Sequence, residues 1–146
     1  MPYITVNSEE ELESVLSSLN NFVDELNSKE QVLEFDNEKT KATKQAKFSK
    51  GLGLTIGNWS SAKFNVYSSL EVNNKKITKV NYSDQSLTGF TLGISLTKGS
   101  TSCKVSTDKT KATVSGTGTI NVNILFEGIG TIFSKDYTVS GTYKAS

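Results

Sequence analysis

Residues 113–126, TVSGTGTINVNILF, decide the fold of this chain. Apolar side chains alternate there with threonine, serine and asparagine. A period of two is typical of an antiparallel strand with one buried face and one face in water. The alternation recurs from Phe64, from Phe90 and from Tyr137. Most of the chain after Gln31 is therefore predicted to be β-sheet.

The remaining strands and turns follow from shorter signals. Asn73-Asn74 is predicted as a tight turn leading into a strand over Lys76–Tyr82. Four further short strands are predicted at Val32–Phe35, Lys41–Phe48, Gly51–Ile56 and Ser102–Ser106. About eight antiparallel strands fold as a β-sandwich or close as a β-barrel, and the sequence leaves both open.

One helix precedes the sheets. Ser8 and Glu11 have the spacing of a capping box, in which each side chain satisfies a backbone N–H at the helix start. An apolar stripe at helical spacing follows: Leu12, Val15, Leu16, Leu19, Phe22, Val23 and Leu26. We expect an amphipathic helix over about 8–29 that docks on a β body at 31–145, giving one α+β, mostly β domain over 1–146. A partner protein or a membrane surface is the alternative docking site.

Three glycines lie on apolar strand faces: Gly116, Gly118 and Gly141. An inward glycine leaves a gap, so a bulky side chain fills it, the strand bends, or a cavity remains. Trp59 and the helix stripe are the expected fillers, and a small-molecule cavity is the alternative. Trp59, Gly116, Gly118 and Gly141 are therefore the candidate ligand-binding or core-gap residues.

The composition excludes several kinds of chemistry. The chain has no histidine and no arginine, so all 16 basic residues are lysines. It therefore has no Ser-His-Asp triad, imidazole metal site or guanidinium fork. Cys103, the only cysteine, is predicted to be a buried structural residue. We expect no catalytic residue, metal or cofactor.

Carboxylate chemistry needs no histidine, so a hydrolase remains an alternative. The β body supplies only five acids for it: Glu71, Asp84, Asp108, Glu127 and Asp136. Most of them lie beside turn residues or lysines, which favours solvated surface. Threonine- and serine-alternating strands also leave a membrane-active protein as a less favoured alternative.

Charge is distributed unevenly along the chain. Residues 1–38 hold ten acids and one lysine, whereas residues 39–146 hold 15 lysines and five acids. One interpretation is that an acidic helix complements a basic β body within one domain. The other is a basic face that binds an anionic polymer or membrane surface.

Two resemblances suggest a function. Gly57-Asn58-Trp59 resembles the G-x-W with which lipocalins open their barrel, and this implies a carrier of a small apolar ligand. The stretches GFTLGISLTKGS, ATVSGTGTINV and KDYTVSGTYKAS resemble small uncharacterised secreted β-rich proteins of Gram-positive bacteria, and this implies export but no particular activity.

These observations together predict a non-enzymatic, exported binding or interaction module. Its expected partner is an anionic cell-surface polymer or another protein, with no specific nucleic acid and no transmembrane segment. The lipocalin-like carrier is the alternative function. Secretion or the cell surface is the expected location, with a leader removed, and the cytoplasm is the alternative.

Overall fold

The structure, a computed structural model, describes residues 3–28, 31–32, 34–35, 43–52, 62–89 and 93–145, with only the backbone at 31–32 and 34–35. One helix and nine strands lie in these ranges. In chain order they are β1 (Ile4–Val6), α1 (Glu9–Ser28), β2 (Gln31–Val32), β3 (Glu34–Phe35), β4 (Thr43–Leu52), β5 (Ala62–Asn73), β6 (Lys76–Gly89), β7 (Ile94–Val105), β8 (Lys111–Phe126) and β9 (Ile129–Lys144).

Helix α1 begins as its sequence predicts. The Ser8 hydroxyl accepts a hydrogen bond from the Glu11 N–H at 3.1 Å, and the Glu11 carboxylate accepts one from the Asn7 N–H at 2.9 Å. Side-chain caps of this kind satisfy N–H groups that have no partner inside the helix. The helix ends at Ser28, within the predicted region.

Two sheets form an open sandwich, so the sandwich alternative is correct and the barrel alternative is wrong. Strand β8 lies at the centre of sheet A, with β9 on one side and both β7 and β1 on the other. Strand β2 pairs with the outer side of β9. Sheet B has the order β3-β4-β5-β6. Except for the parallel pairs made by β1 and β2, the pairing is antiparallel.

The strands are longer and more continuous than predicted. The region from Ile94 to Val105 is one strand, interrupted only by a register shift between Lys98 and Thr101. The break in its apolar alternation reflects a bulge and not a strand end. Likewise β4 joins the end of one predicted short strand to the start of the next; 53–56 lie outside the described residues.

The predicted turn at Asn73-Asn74 is displaced by one residue. Asn73 pairs with Lys76, and the two turn residues are Asn74 and Lys75, with φ of 50° and 61°. Two successive positive φ angles match the right-handed twist of a hairpin. The asparagine pair indicated the turn correctly, but the pairing of β5 with β6 decides its position.

The helix packs on both sheets and closes one side of the sandwich. It lies mainly against β9 and also contacts β4. Its buried side chains are Val15, Leu19, Phe22, Val23 and Leu26. The Asn27 side-chain oxygen accepts a hydrogen bond from the Thr138 N–H of β9 at 2.7 Å. Each fully buried Leu, Val or Phe contributes roughly 1.5–3 kcal/mol, so the helix belongs to the shared core.

Candidate functional site

The predicted glycine gap lies near the middle of sheet A. Gly116 is buried on β8, and Gly118 follows it on the same face. Gly141 is buried on β9, directly opposite Val114. Gly57 and Trp59, which carry the lipocalin resemblance and one predicted filler, lie outside the described residues.

A bulge in β7 lies beside these glycines. Lys98 pairs with Gly118 and Thr101 pairs with Gly116, so Gly99 and Ser100 together oppose the single residue Thr117. Such a bulge disturbs the regular backbone ladder. One backbone group that the bulge removes from the ladder, the Ser100 N–H, instead donates a hydrogen bond to the Thr117 hydroxyl at 3.1 Å.

A glutamine from the opposite sheet completes the bonding at the bulge. Gln85 of β6 is fully buried. Its side-chain amide donates to the backbone carbonyl of Thr117 at 2.9 Å and to that of Ser100 at 3.3 Å. Its side-chain oxygen accepts a hydrogen bond from the hydroxyl of Tyr137 on β9. A buried amide needs such partners, because leaving one unsatisfied costs about 1–3 kcal/mol.

The glycines make room for this network. A Cβ on Gly116 would lie 3.1 Å from the Gln85 amide carbon. A Cβ on Gly118 would lie 2.6 Å from the Tyr137 hydroxyl and 2.7 Å from the Thr97 carbonyl oxygen. The space over these two positions is therefore taken by side chains of β6 and β9, where Trp59 or the helix stripe had been expected.

The network is built for structure and not for proton transfer at neutral pH. Burial raises the pKa of Tyr137 to about 12, so its hydroxyl stays protonated and acts as a donor. The ring of Phe64 packs against Tyr137 edge-on at 5.0 Å between centroids. Sequence reasoning missed Gln85, because no local pattern shows that a polar residue points into the core.

Other candidate chemical groups are dispersed. Cys103 is half-buried, and burial raises its pKa, which disfavours the reactive thiolate. Within the described ranges no three side chains of metal-ligating type lie together. No described helix is both long enough and apolar enough to cross a bilayer.

The acids of the β body give no support for a hydrolase. A backbone hydrogen bond from Gln85 and a bond from Lys98 lower the pKa of Asp84. Asp108 accepts bonds from Ser106 and Thr110, which lower its pKa to about 2. Asp136 accepts one from the Thr119 hydroxyl at 2.6 Å. A glycosidase acid needs a raised pKa beside a second carboxylate.

Lysines, in contrast, converge at one end of the sandwich. Six exposed lysines make up what we call the lysine end: Lys75, Lys76, Lys104, Lys109, Lys111 and Lys144. They come from three segments, which are the β5–β6 hairpin tip, the β7–β8 connection with the strand ends beside it, and the end of β9. The Ile77 N–H donates to the Lys109 carbonyl at 2.8 Å, and the Ala145 N–H donates to the Thr110 carbonyl at 2.8 Å. These two backbone bonds hold the three segments together.

Three features of the lysine end oppose stability. Lys75 and Lys109 have φ of 61° and 62°, a left-handed conformation that costs a residue with a side chain roughly 1–2 kcal/mol. Lys111 lies directly opposite Lys144 across β8 and β9. Like charges opposite each other in a sheet are destabilising. Glycine in the turns and a neutral residue in the pair would relieve all three.

The acidic first turn of the helix lies at the other end of the molecule. Because β1 pairs with the last residues of β8, the start of α1 is near the β8–β9 turn. The first helical turn carries Glu9, Glu10 and Glu11. Strand β8 has 16 residues, so at about 3.3 Å per residue the two ends are about 50 Å apart.

Few of the opposite charges meet. The ion pairs among the described residues join Lys50 to Glu25 and Lys98 to Asp84. Only the first links the β body to the helix. No lysine of the lysine end is ion-paired to another described residue, and the Debye length of about 8 Å at physiological salt isolates it from the helix.

An open groove of about 340 Å³ runs between β6 and β7, on the side of the sandwich away from the helix. Leu87, Ile94 and Leu96 line it together with Gln85 and Lys98. The volume is near the lower limit for a small-molecule site. An open pocket of the same volume lies beside Gly118 and Tyr137, but its lining includes Thr97, Thr119 and Asp136, so the groove between β6 and β7 suits an apolar ligand better.

Comparison with solved structures finds a similar fold in a two-domain protein of unknown function from Bacteroides thetaiotaomicron. The TM-score is 0.52 at 14% identity, over 97% of this chain and 75% of that chain. At this identity the likeness concerns the fold alone. No protein-family model matches the chain, and no curated protein matches it.

Proposed function

We propose that this protein is a non-catalytic binding module that holds an anionic polymer at its lysine end. The observation that carries the proposal is the convergence of six exposed lysines from three segments of the chain. A net charge of +1 would give no general attraction to polyanions. The local concentration of positive charge gives that attraction at one place.

The energetic cost of the lysine end supports the proposal. Left-handed lysines at two turns and facing lysines on β8 and β9 each lower stability. Such features persist where the surrounding structure holds them and often serve a function. Asp108 does part of this holding, because its bonds to Ser106 and Thr110 brace the turn that presents Lys109 and Lys111.

Binding through lysines has a measurable signature. A polyanion releases counterions when lysines neutralise it, so affinity falls as salt rises. Titration of the full chain with long-chain polyphosphate, across a series of salt concentrations, tests this. Removal of one contact, in Lys111→Ser, is expected to weaken binding and to lower the slope of log affinity against log salt by about one.

A matched variant separates the lysine end from lysines in general. Lys63 is exposed on β5 and is not part of the lysine end. Lys63→Ser removes the same charge and is expected to leave the salt slope unchanged. If polyphosphate does not bind, or if the two variants lose affinity equally, the proposal is wrong.

The groove between β6 and β7 favours a second candidate, the carrier of a small apolar ligand. Native mass spectrometry of freshly purified protein would then show an adduct that disappears when Leu96→Lys places a charge in the groove. A mass equal to that of the bare chain would count against this candidate.

The proposed function includes a location of the protein outside the cytoplasm. An exported module would meet anionic polymers at the cell surface, as the resemblance to secreted β-rich proteins implies. Fractionation of the native cells is expected to place the protein outside the cytoplasm. Recovery in the cytoplasmic fraction alone would restrict its partners to intracellular polyanions.

A further inference from the structure

Two tyrosines lie side by side on the outer face of sheet B, near the lysine end. The rings of Tyr67 on β5 and Tyr82 on β6 meet edge to face, with 6.4 Å between centroids and an interplanar angle of 88°. Tyr82 is 54% exposed, whereas Tyr67 is half-buried. An exposed aromatic ring on a rigid strand is a typical anchor for a binding partner.

A bulge in β6 directs Tyr82 outward. Leu70 pairs with Val80 and Ser69 pairs with Tyr82, so Asn81 is an extra residue. Val80 packs against the core. In a regular strand Tyr82, which is two positions after Val80, would also point inward. The bulge at Asn81 places it on the solvent face instead. Bulges commonly re-aim a side chain next to a functional site.

Lysines flank the pair on the same face. Lys47 of β4 lies directly opposite Tyr67. Lys79 lies opposite Glu71 in the sheet. On β5 this pair is two residues, or about 7 Å, along the strand from the pair formed by Ser69 and Tyr82. Lys79 therefore lies between Tyr82 and the lysine end at Lys75 and Lys76.

Small neutral polar groups surround Tyr82. The Asn81 side chain donates to the Ser69 hydroxyl at 3.4 Å, beside the ring. Further along the face, Asn65 is only 1% exposed, and its bonds to Ser49 at 2.6 Å and to Thr88 at 3.0 Å leave it unavailable to a ligand. The face thus combines an aromatic ring and the exposed Asn81 amide with both lysines and carboxylates, because Glu71 and Asp84 lie opposite Lys79 and Tyr67.

We infer that the anionic polymer is an acidic polysaccharide, with sugar rings that stack on Tyr82 while its acidic groups contact Lys79 and the lysine end. The C–H face of a sugar ring is weakly positive and matches the negative face of a tyrosine ring. Its hydroxyls match the exposed side-chain amide of Asn81, beside the ring. This inference rests on the proposed function, because it adds Tyr82 to the lysine end and names the class of polymer that the enlarged site binds.

Two polyanions distinguish binding to negative charge from binding to sugar rings. Polygalacturonate carries its charge on sugar rings, and long-chain polyphosphate carries it without rings. Wild-type protein is compared with Tyr82→Ala by titration with each polymer at equal concentration of charge. We expect Tyr82→Ala to weaken polygalacturonate binding at least about fivefold, the usual effect of truncating an aromatic anchor, and to leave polyphosphate binding unchanged.

Control variants guard against a folding defect. Tyr82→Phe keeps the ring and is expected to retain most of the affinity for polygalacturonate. Tyr3, 37% exposed near the opposite end, is a matched tyrosine, and Tyr3→Ala is expected to bind both polymers like the wild type. Circular dichroism and thermal unfolding check that each variant is folded.

The outcomes are distinct. If Tyr82→Ala binds both polymers like the wild type, or loses affinity for both equally, the inference is wrong while the role of the lysine end stands. If a single-stranded oligonucleotide binds more tightly than polygalacturonate and depends more on Tyr82, the stacked rings are bases and the inference is also wrong. If neither polymer binds, the inference and the proposed function fail together.

Discussion

Strand β8 carries two departures from its regular alternation, and they have opposite physical meanings. In its middle, Gly116 and Gly118 replace apolar side chains, and Gln85 and Tyr137 occupy the space with a satisfied hydrogen-bond network. At its start, Lys111 faces Lys144, and neither lysine is ion-paired to a described residue, although the charge of Asp108 acts on Lys111 from the adjoining turn.

The comparison separates stability from binding. The glycine gap is filled by the side chains of Gln85 and Tyr137, so a change there is expected to cost stability and to leave the lysine end intact. The lysine end is open, so a change there is expected to alter binding and to leave stability equal or higher. Three variants test this difference, in decreasing order of expected effect.

Gly118→Ala is expected to cost the most stability. Its Cβ would meet the Thr97 carbonyl oxygen at 2.7 Å, and that backbone is held by the pairing of β7 with β8. Overpacking of this kind costs typically 1–3 kcal/mol. Gly51 is the control, because its Cβ would meet nothing within 4 Å. Urea unfolding should show a large loss for Gly118→Ala and almost none for Gly51→Ala; equal losses would contradict the packing argument.

Tyr137→Phe is expected to cost about 1–2 kcal/mol at neutral pH, because Gln85 loses its hydroxyl donor. The raised pKa of Tyr137 makes this difference depend on pH. The stability that the protonated hydroxyl contributes is complete below its ordinary pKa of 10 and is lost as pH rises toward about 12. The free-energy gap between wild type and Tyr137→Phe should therefore shrink over that range, and a constant gap would show that the tyrosine does not titrate there.

Lys75→Gly is expected to have the smallest effect on stability and one of opposite sign. Glycine adopts the φ of 61° without the left-handed penalty, and this relief exceeds its own entropic cost. We expect a gain of roughly 0.5 kcal/mol in unfolding free energy together with weaker polyphosphate binding. A variant that is less stable, or that binds as tightly as the wild type, would break the proposed opposition between the two regions.

Local signals predicted the helix and the strands well. The Ser8 cap forms as predicted, because Ser8 and Glu11 lie within one helical turn, whereas the Glu11 carboxylate bonds to the N–H of Asn7 and not to that of Ser8. The buried side of β8 and β9 follows their period of two. The bulges at Asn81 and at Gly99-Ser100 were not predictable, because a bulge is defined by the residues opposite it on another strand.

The candidate site was predicted only in part. Gly116 and Gly118 marked a gap correctly, but their sequence could not name Gln85, which lies on another sheet more than thirty residues away. The two bulges of β6 shift its alternation, so the core-facing position of Gln85 follows from pairing and not from composition. Trp59, the other predicted filler, lies outside the described residues.

The amino-acid sequence by itself determined the kinds of element, the cap of the helix and the surplus of acids before residue 39 and of lysines after it. These depend on neighbours a few positions apart or on simple counts. Tertiary structure alone decided that the acidic first turn of the helix and the lysine end lie about 50 Å apart. It also brought Lys75, Lys109 and Lys144 to one end, because backbone hydrogen bonds join segments that are distant along the chain.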